Sequence, residues 1–460
     1  MTVVAIVGMN LVLASVGATR RVAQYTNTMI KGRGGASPLR KTRIGRPLSG
    51  LFPILLSMLC TPTFAEEISL HGFVQGNYAA RITGEEPSGL EGGDFLLGEE
   101  RLQIKFAASS QGAGFVLKTD FFRDAIAGGM DLDLREANLD YGAGHFEFRL
   151  GRQIITWGVG DLIFINDIFR KDYAAFFSGR PLEYLKIGSD ALKLNLFTDL
   201  ASAELVVIPF FEPDNLPTSE RFFVFDPFPT VTTRTQTEPR AEFENTELAL
   251  RLYRTLLGFD TAVYVYRGFY RTPGMKPDDL VSPTQLTLIF PRLRTYGTSA
   301  QGSVLGGVVS LEAAYGDSED DRSGRDPAIP NSMVKYLAGY QQQLWSEFTA
   351  GVQYYGEYLL DYAPYRDTLP SGFPAQDRLR QLLTLRLTQF FHYQTLRLSL
   401  FSFYSPTDED YNFIPEVRYS FTDALWGAVG ANFFGGKKQT TFFGQLDKND
   451  NLYVTMRYEF

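Results

Sequence analysis

The last nine residues, Leu452-Tyr453-Val454-Thr455-Met456-Arg457-Tyr458-Glu459-Phe460, decide the fold. Side chains alternate between the two faces of a strand, so Leu452, Val454, Met456, Tyr458 and Phe460 share one face. Tyr453, Thr455, Arg457 and Glu459 share the other. The apolar face runs to the final residue with no polar tail behind it. An open strand of this kind would offer unpaired N–H and C=O groups to other chains. A transmembrane barrel that pairs its last strand with its first has no such edge, and that closure is what the stretch predicts. The competing reading, a buried last strand of a soluble β-sandwich, must be judged against the rest of the chain.

Working outward, alternating segments recur at approximately 67–81, 98–109, 113–122, 133–142, 145–156, 190–198, 202–210, 243–255, 258–269, 285–298, 303–315, 332–343, 347–358, 379–390, 394–404, 411–421, 424–434 and 452–460. Short links such as Gly142-Ala143-Gly144 and Thr422-Asp423 alternate with long ones near 82–97, 123–132, 157–189, 211–242, 270–284, 316–331, 359–378, 405–410 and 435–451. Eight short turns and nine long loops are what an antiparallel up-and-down meander of about 18 strands requires, with 16 as the alternative count. Bacterial barrels have even strand numbers, periplasmic turns and longer outer loops. The expected fold class is therefore all-β, a transmembrane antiparallel β-barrel.

The faces sort accordingly. Leu102, Ile104, Phe106 and Ala108 oppose Arg101, Gln103 and Lys105; Phe146, Phe148 and Leu150 oppose Glu147 and Arg149. Leu383, Leu385 and Leu387 oppose Thr384, Arg386 and Thr388, and Leu396, Leu398 and Leu400 oppose Arg397 and Ser399. A lipid-facing Arg at midplane costs ~2–4 kcal/mol, so the charged face is expected to line water. Arg101, Lys105, Glu147, Arg149, Arg386 and Arg397 are the candidate lumen wall. Aromatic pairs at strand ends, among them Phe121-Phe122, Phe390-Phe391 and Phe433-Phe434, fit interface girdles.

Upstream, residues 1–65 read as a signal region. Arg40, Lys41, Arg43 and Arg46 precede an apolar run over 48–59, and Thr63-Phe64-Ala65 offers small residues for cleavage before Glu66. Leu59 before Cys60 does not suit a lipid-attachment site. A second apolar run at 3–18 is explained either by a start at Met29 or by a signal-anchor. Cleavage after Ala65 removes eight basic residues and the one cysteine, leaving 36 basic against 52 acidic residues over 66–460, a net charge of −16. That balance argues against nucleic acid as a partner. A chain without cysteine holds no disulfide and no Cys-ligated metal, and no stretch of 66–460 reaches 18 consecutive apolar residues.

No catalytic constellation appears. His71, His145 and His392 fall on three distant strands, which disfavours a metal site. The acidic runs Asp317-Ser318-Glu319-Asp320-Asp321 and Asp447-Lys448-Asn449-Asp450-Asn451 lack the Gly and distal Glu of a calcium loop, and read as solvated loop charge. Neither an enzyme activity, a metal nor a cofactor is expected.

The most informative loop is 157–189. It carries apolar residues of its own and mixes charge signs in Asp161, Asp167, Arg170, Lys171, Asp172 and Arg180. Folded inward, it would narrow a pore and set its field, which makes those six residues the candidate constriction. Folded outward, it would only cap the barrel.

The runs Leu134-Arg135-Glu136-Ala137-Asn138-Leu139-Asp140-Tyr141 and Leu150-Gly151-Arg152-Gln153-Ile154-Ile155-Thr156-Trp157-Gly158, with Asn166-Asp167, resemble a little-characterised family of Gram-negative outer-membrane barrels grouped loosely with porins and alginate-export barrels. Ile208-Pro209-Phe210-Phe211-Glu212-Pro213 and Leu216-Pro217 are similar to a later stretch of it, whereas Phe169-Arg170-Lys171-Asp172 departs from its Asn-Pro. The terminal Met456, Tyr458 and Phe460 resemble the signal that barrel-assembly machinery recognises. The resemblance implies a cell outer-membrane location among lipid and lipopolysaccharide, and leaves room for a homo-oligomer. The expected function is a porin-like channel for passive passage of small polar solutes. The alternative is a barrel component of a trans-envelope export or electron-transfer complex. With a first strand at about Glu67, no N-terminal plug is expected.

Overall fold

The structure is a computed structural model that describes residues 67–83, 93–280, 282–370 and 373–460. The expected signal region 1–65, the Met29 start and the cleavage after Ala65 lie outside the described residues.

The chain forms strands β1 (Glu67–Arg81), β2 (Phe95–Ser110), β3 (Ala113–Asp124), β4 (Gly129–Ala143), β5 (Phe146–Gln153), β6 (Ser189–Leu196) and β7 (Ser202–Ile208). After β8 (Thr233–Thr237) come β9 (Glu247–Leu256), β10 (Phe259–Phe269), β11 (Gly274–Pro277), β12 (Gln285–Ile289), β13 (Arg292–Val304) and β14 (Gly307–Ser318). The remainder are β15 (Met333–Trp345), β16 (Phe348–Leu359), β17 (Leu379–Phe391), β18 (Leu396–Ser405), β19 (Asp410–Ser420), β20 (Leu425–Gly436) and β21 (Asn451–Glu459). Two short helices, α1 (Tyr173–Phe177) and α2 (Tyr362–Thr368), sit in long connections.

Eighteen of these strands make one antiparallel sheet, and β1 pairs with β21 to close it. The ladder runs from Phe73↔Glu459 to Arg81↔Asn451. One step beyond, Gly72 and Phe460 exchange both backbone hydrogen bonds at 2.9 Å. A Cβ on Gly72 would stand 2.2 Å from the Gln103 carbonyl and 2.8 Å from the Phe460 ring, so the seam needs glycine there.

The last strand shows why the barrel is the right way out. Leu452, Val454, Met456 and Tyr458 are 48–53% exposed, while Tyr453, Thr455 and Arg457 are 3–7% exposed. A sandwich would bury the first set; this sheet buries the second. The outer face is apolar and the inner face polar, as a barrel in lipid requires.

All eighteen expected barrel strands are present, with shifted ends. The expected strand 285–298 is two: β12 leaves the barrel and β13 starts at Arg292, because Phe290-Pro291 cannot continue a ladder. The following turn falls at Leu305-Gly306, both with positive φ, and not at the small-residue run 299–302. Two connections expected to be long, 123–132 and 405–410, are tight, lying between Asp124 and Gly129 and between Ser405 and Asp410. Strand β12 pairs with β8 and β11 in a separate three-stranded sheet within the long connections.

The largest cluster of buried apolar side chains is not between two layers. It joins Ile163, Ile165, Phe176 and Phe177, from the connection between β5 and β6, to inner-wall residues Leu337, Tyr355, Leu382, Phe401 and Phe403. That connection, residues 154–188, therefore packs within the barrel.

Candidate functional site

The inward path of loop 154–188 begins in its take-off. Gly151 has φ +118°, and a Cβ there would meet the Ala137 carbonyl at 2.2 Å, so the bend at the end of β5 requires glycine. Arg152 bonds Asp190 at 2.8 Å and Glu212 at 3.2 Å. Gln153, fully buried, donates to the Ala191 carbonyl at 3.0 Å. The indole N–H of Trp157 donates to Glu204 on β7, and its ring packs on Phe169 and Tyr264.

Beyond Gly158 the loop meets the far wall. The buried Glu312 carboxylate on β14 accepts three backbone N–H groups, from Val159 at 2.9 Å, Gly160 at 3.0 Å and Asn166 at 2.7 Å. This satisfies the loop backbone and the carboxylate together, where either alone would be costly to bury. The Asn166 amide donates to the Thr298 carbonyl at 3.3 Å, in space that exists only because residue 297 is glycine; a Cβ there would be 1.6 Å from Asn166 Oδ1. Gln353 on β16 bonds the Asp161 backbone twice, at 2.7 and 2.8 Å.

The loop then crosses to the seam of the barrel. Asn77 on β1 donates to the Gly179 carbonyl at 3.3 Å, and Asn451 on β21 to the Phe177 carbonyl at 3.2 Å. Arg457 pairs with Glu183 and stacks on Phe73 at 3.8 Å. Arg135 on β4 donates to the Glu183 carbonyl at 2.7 Å. Ties on β1, β4, β7, β14, β16 and β21 hold the loop from all round the wall.

The six charged loop residues do different things. Asp161 faces Arg386 on β17 at 2.5 Å, and Arg180 faces the buried Glu99 on β2 at 2.7 Å. Arg170 pairs with Glu212 at 2.7 Å. Asp167 and Lys171 are packed away from water, 3.0 Å apart, and Lys186 adds a second cation to Asp167 at 2.8 Å. Burial pushes the Lys171 ammonium below its usual value, while Asp167 and the Phe169 carbonyl, 2.6 Å away, hold its charge in place. Asp172 caps α1, accepting from the Ala175 N–H at 2.6 Å.

The wall residues divide similarly. Arg101 is buried between Glu99 at 2.7 Å and Asp120 at 2.5 Å, and stacks on Tyr184 of the loop. Arg149 pairs with Asp140, and Arg397 with Glu416. Glu147 accepts from Asn195 at 3.3 Å. Lys105 is exposed. His71 lies on β1, and His145 and His392 in short turns, so the three are not brought together. The loop's main anchors, Glu312, Gln353 and Glu99, carried one signal in the sequence: alternation puts them on the inner face. Nothing in their spacing links them to residues 159–180.

Above the loop, on the long-loop side, lies a vestibule of about 800 Å³. Its lining includes Leu162, Phe164 and Tyr173 from the inward loop and Phe225, Phe228 and Phe442 from other long connections.

A family model described as a protein of unknown function (DUF1302) matches residues 123–460. No curated protein matches the chain by sequence. Among solved structures, Pseudomonas aeruginosa OccK2 (OpdF), in complex with glucuronate, is similar at 10% identity and a TM-score of 0.54, over 86% of this chain and 98% of that one. Pseudomonas aeruginosa OccD3 (OpdP) is similar at 11% identity and a TM-score of 0.50, over 86% and 92%. At these identities the likeness is one of fold, that of a closed antiparallel β-barrel.

Proposed function

The chain belongs to that family of unknown function (DUF1302), and from this premise we propose that it is a non-enzymatic outer-membrane channel for passive passage of small solutes, with loop 154–188 as its constriction. The observation that carries this is a single inward loop bonded to opposite walls through Glu312, Gln353, Asn77 and Arg457. A loop that merely capped the barrel would have no use for buried inner-wall carboxylates. The outer membrane is the proposed location because the outward face is apolar and the sheet has no open edge. The solutes carry a polar group, since the inner wall beyond the loop is charged.

The test is single-channel current in planar bilayers, for wild type and for a variant lacking residues 161–172. The variant should assemble, because outer loops contribute little to the strand ladder, and should conduct more. Equal currents would remove the loop from the permeation path. No current from either, with a periplasmic protein copurifying, would instead favour a component of a trans-envelope export or electron-transfer complex.

A further inference from the structure

The vestibule has the dimensions of a small-molecule site: its volume is about 800 Å³. Phe225, Met275, Leu280 and Phe442 line it and are 38%, 36%, 53% and 45% exposed. They come from three separate connections, 209–246, 270–291 and 437–450. Single exposed apolar side chains need no explanation, but several converging on one cavity mark a binding surface. Lipid does not account for them, because the same cavity is lined by Tyr355, Leu382 and Phe403 of the inner wall.

The floor adds a second observation. Leu162 of the inward loop lines the cavity with φ +57°, in the left-handed region that residues other than glycine seldom occupy. It is half-buried and packs against the apolar cluster beneath. A strained residue that the surrounding structure holds in place points to function. Here the strained position carries an apolar side chain in the cavity floor.

Charge in the lining cancels. Six charged side chains contribute to it, three of each sign. Lys335 pairs with Glu357 at 3.5 Å and Arg380 with Asp408 at 2.6 Å, and Glu357 also accepts from the Tyr355 hydroxyl at 2.6 Å. Asp377 and Lys438, both exposed and of opposite sign, complete the set. The cavity as a whole prefers neither sign, and an ion entering it would exchange water for apolar surface. Thr272, Gln376 and Thr440, uncharged and exposed in the same lining, suit a hydroxyl or carbonyl group.

We propose that the vestibule binds an uncharged, largely apolar small molecule, an aryl or alicyclic alcohol or ketone. The ring system packs among Leu162, Phe225, Leu280 and Phe442, and its one polar group meets the uncharged polar lining. The proposal rests on the channel reading only in making this molecule the transported solute. The site itself is tested by binding and not by current, so the two fail separately.

Naphthalene-2-methanol is the probe, and naphthalene-2-sulfonate, the same ring with a permanent charge, is the control. Binding to proteoliposomes is measured by equilibrium dialysis, with protein-free vesicles of the same lipid as the blank. The alcohol should bind saturably and at least tenfold more tightly than the sulfonate. Phe225→Ser with Phe442→Ser should weaken its binding several-fold. Leu162→Asn should do the same, since asparagine tolerates the positive φ and removes the apolar side chain. Ala375→Trp, at an exposed lining site, should fill the cavity and block the alcohol without removing any apolar contact. Heat-modifiable gel migration identifies the variants that fold. No saturable binding to wild type, sulfonate binding as tight as the alcohol, or unchanged binding in every folded variant overturns the proposal. A wild type that binds the alcohol as expected but carries no current keeps the site and loses the channel.

Discussion

The barrel wall and the loop inside it are stabilised in opposite ways. The wall is a closed ladder of backbone hydrogen bonds whose outward side chains need only be apolar. The loop has almost no ladder: beside α1, the turn at Leu182–Tyr184 and isolated bridges such as Lys171↔Lys186, backbone groups of Val159, Gly160, Asp161, Asn166, Phe177 and Gly179 are answered by individual wall side chains. Ladders tolerate substitution as long as the period is kept. A loop hung on Glu312, Gln353 and Asn77 depends on each of them. The wall should therefore fail globally and the loop locally.

Two adjacent residues of β17 put the largest predicted effect on this difference. Leu385 faces outward, and Leu385→Arg should destabilise the barrel in lipid by ~2–4 kcal/mol. Thr384 is buried, 5% exposed, and accepts from the Gln353 amide at 2.8 Å, beneath the point where Asp161 is held. Thr384→Arg should leave barrel stability nearly unchanged and unseat the loop, seen as new protease cleavage within 159–180. Urea unfolding of both variants in liposomes measures this. Equal destabilisation by both would mean that wall and loop form one cooperative unit.

Glu312→Ala should have a smaller and wholly local effect. It strips the acceptor from the Val159, Gly160 and Asn166 amides at once, and each unsatisfied buried donor costs ~1–3 kcal/mol unless water reaches it. Hydrogen exchange at those amides should quicken by roughly tenfold or more, with β13 and β15 amides unaffected. Unchanged exchange at Gly160 would show that the loop holds its place without this carboxylate. Faster exchange throughout β14 would put Glu312 in the wall's own stability.

The same contrast explains how much could be read from the sequence. Period-two alternation is a property of each strand alone, so the faces of Leu452–Phe460, of β17 and of β18 were legible without any partner. Strand ends were less so: Ser299-Ala300-Gln301-Gly302 has the small residues of a turn yet lies inside β13, because the ladder with β14 continues through it. The apolar content of 157–189 suggested an inward fold, but its anchors Glu312, Gln353 and Asn451 lie on strands more than a hundred residues away. The Gly-Arg-Gln and Trp-Gly run is legible in retrospect as the loop's hinge: Gly151 bends, Arg152 and Glu212 clamp, and Trp157 is held by Glu204. Lys171 illustrates the limit. As a loop cation it invited a place in a pore field, but it is enclosed by its own loop at Asp167 and Phe169.

The smallest predicted effect lies at the rim, where wall and long loops meet. Asp450 immediately precedes β21, and its carboxylate accepts the Phe434 N–H at 2.6 Å. Burial pushes its pKa up to about 6, the nearby Asp447 charge adds to this, and the Phe434 hydrogen bond opposes it. The ordinary value of an unfolded Asp is ~3.9, so between about pH 4 and 6 the folded protein binds more protons at this site than the unfolded chain. Stability must then fall as pH rises through that window and level off above it. Because Asp450 is half exposed, solvent screening keeps the effect small. Asp450→Asn keeps the acceptor for Phe434 and cannot ionise, so it should flatten this slope and match or slightly exceed wild type at pH 7.5. Heat-modifiable gel migration at pH 5.0 and 7.5 reads the difference. An Asn variant less stable than wild type at pH 7.5 would mean that the rim favours the charged carboxylate. Asp450 would then act as an anchor like Glu312, and the rim would belong energetically to the loop side of the molecule and not to the wall.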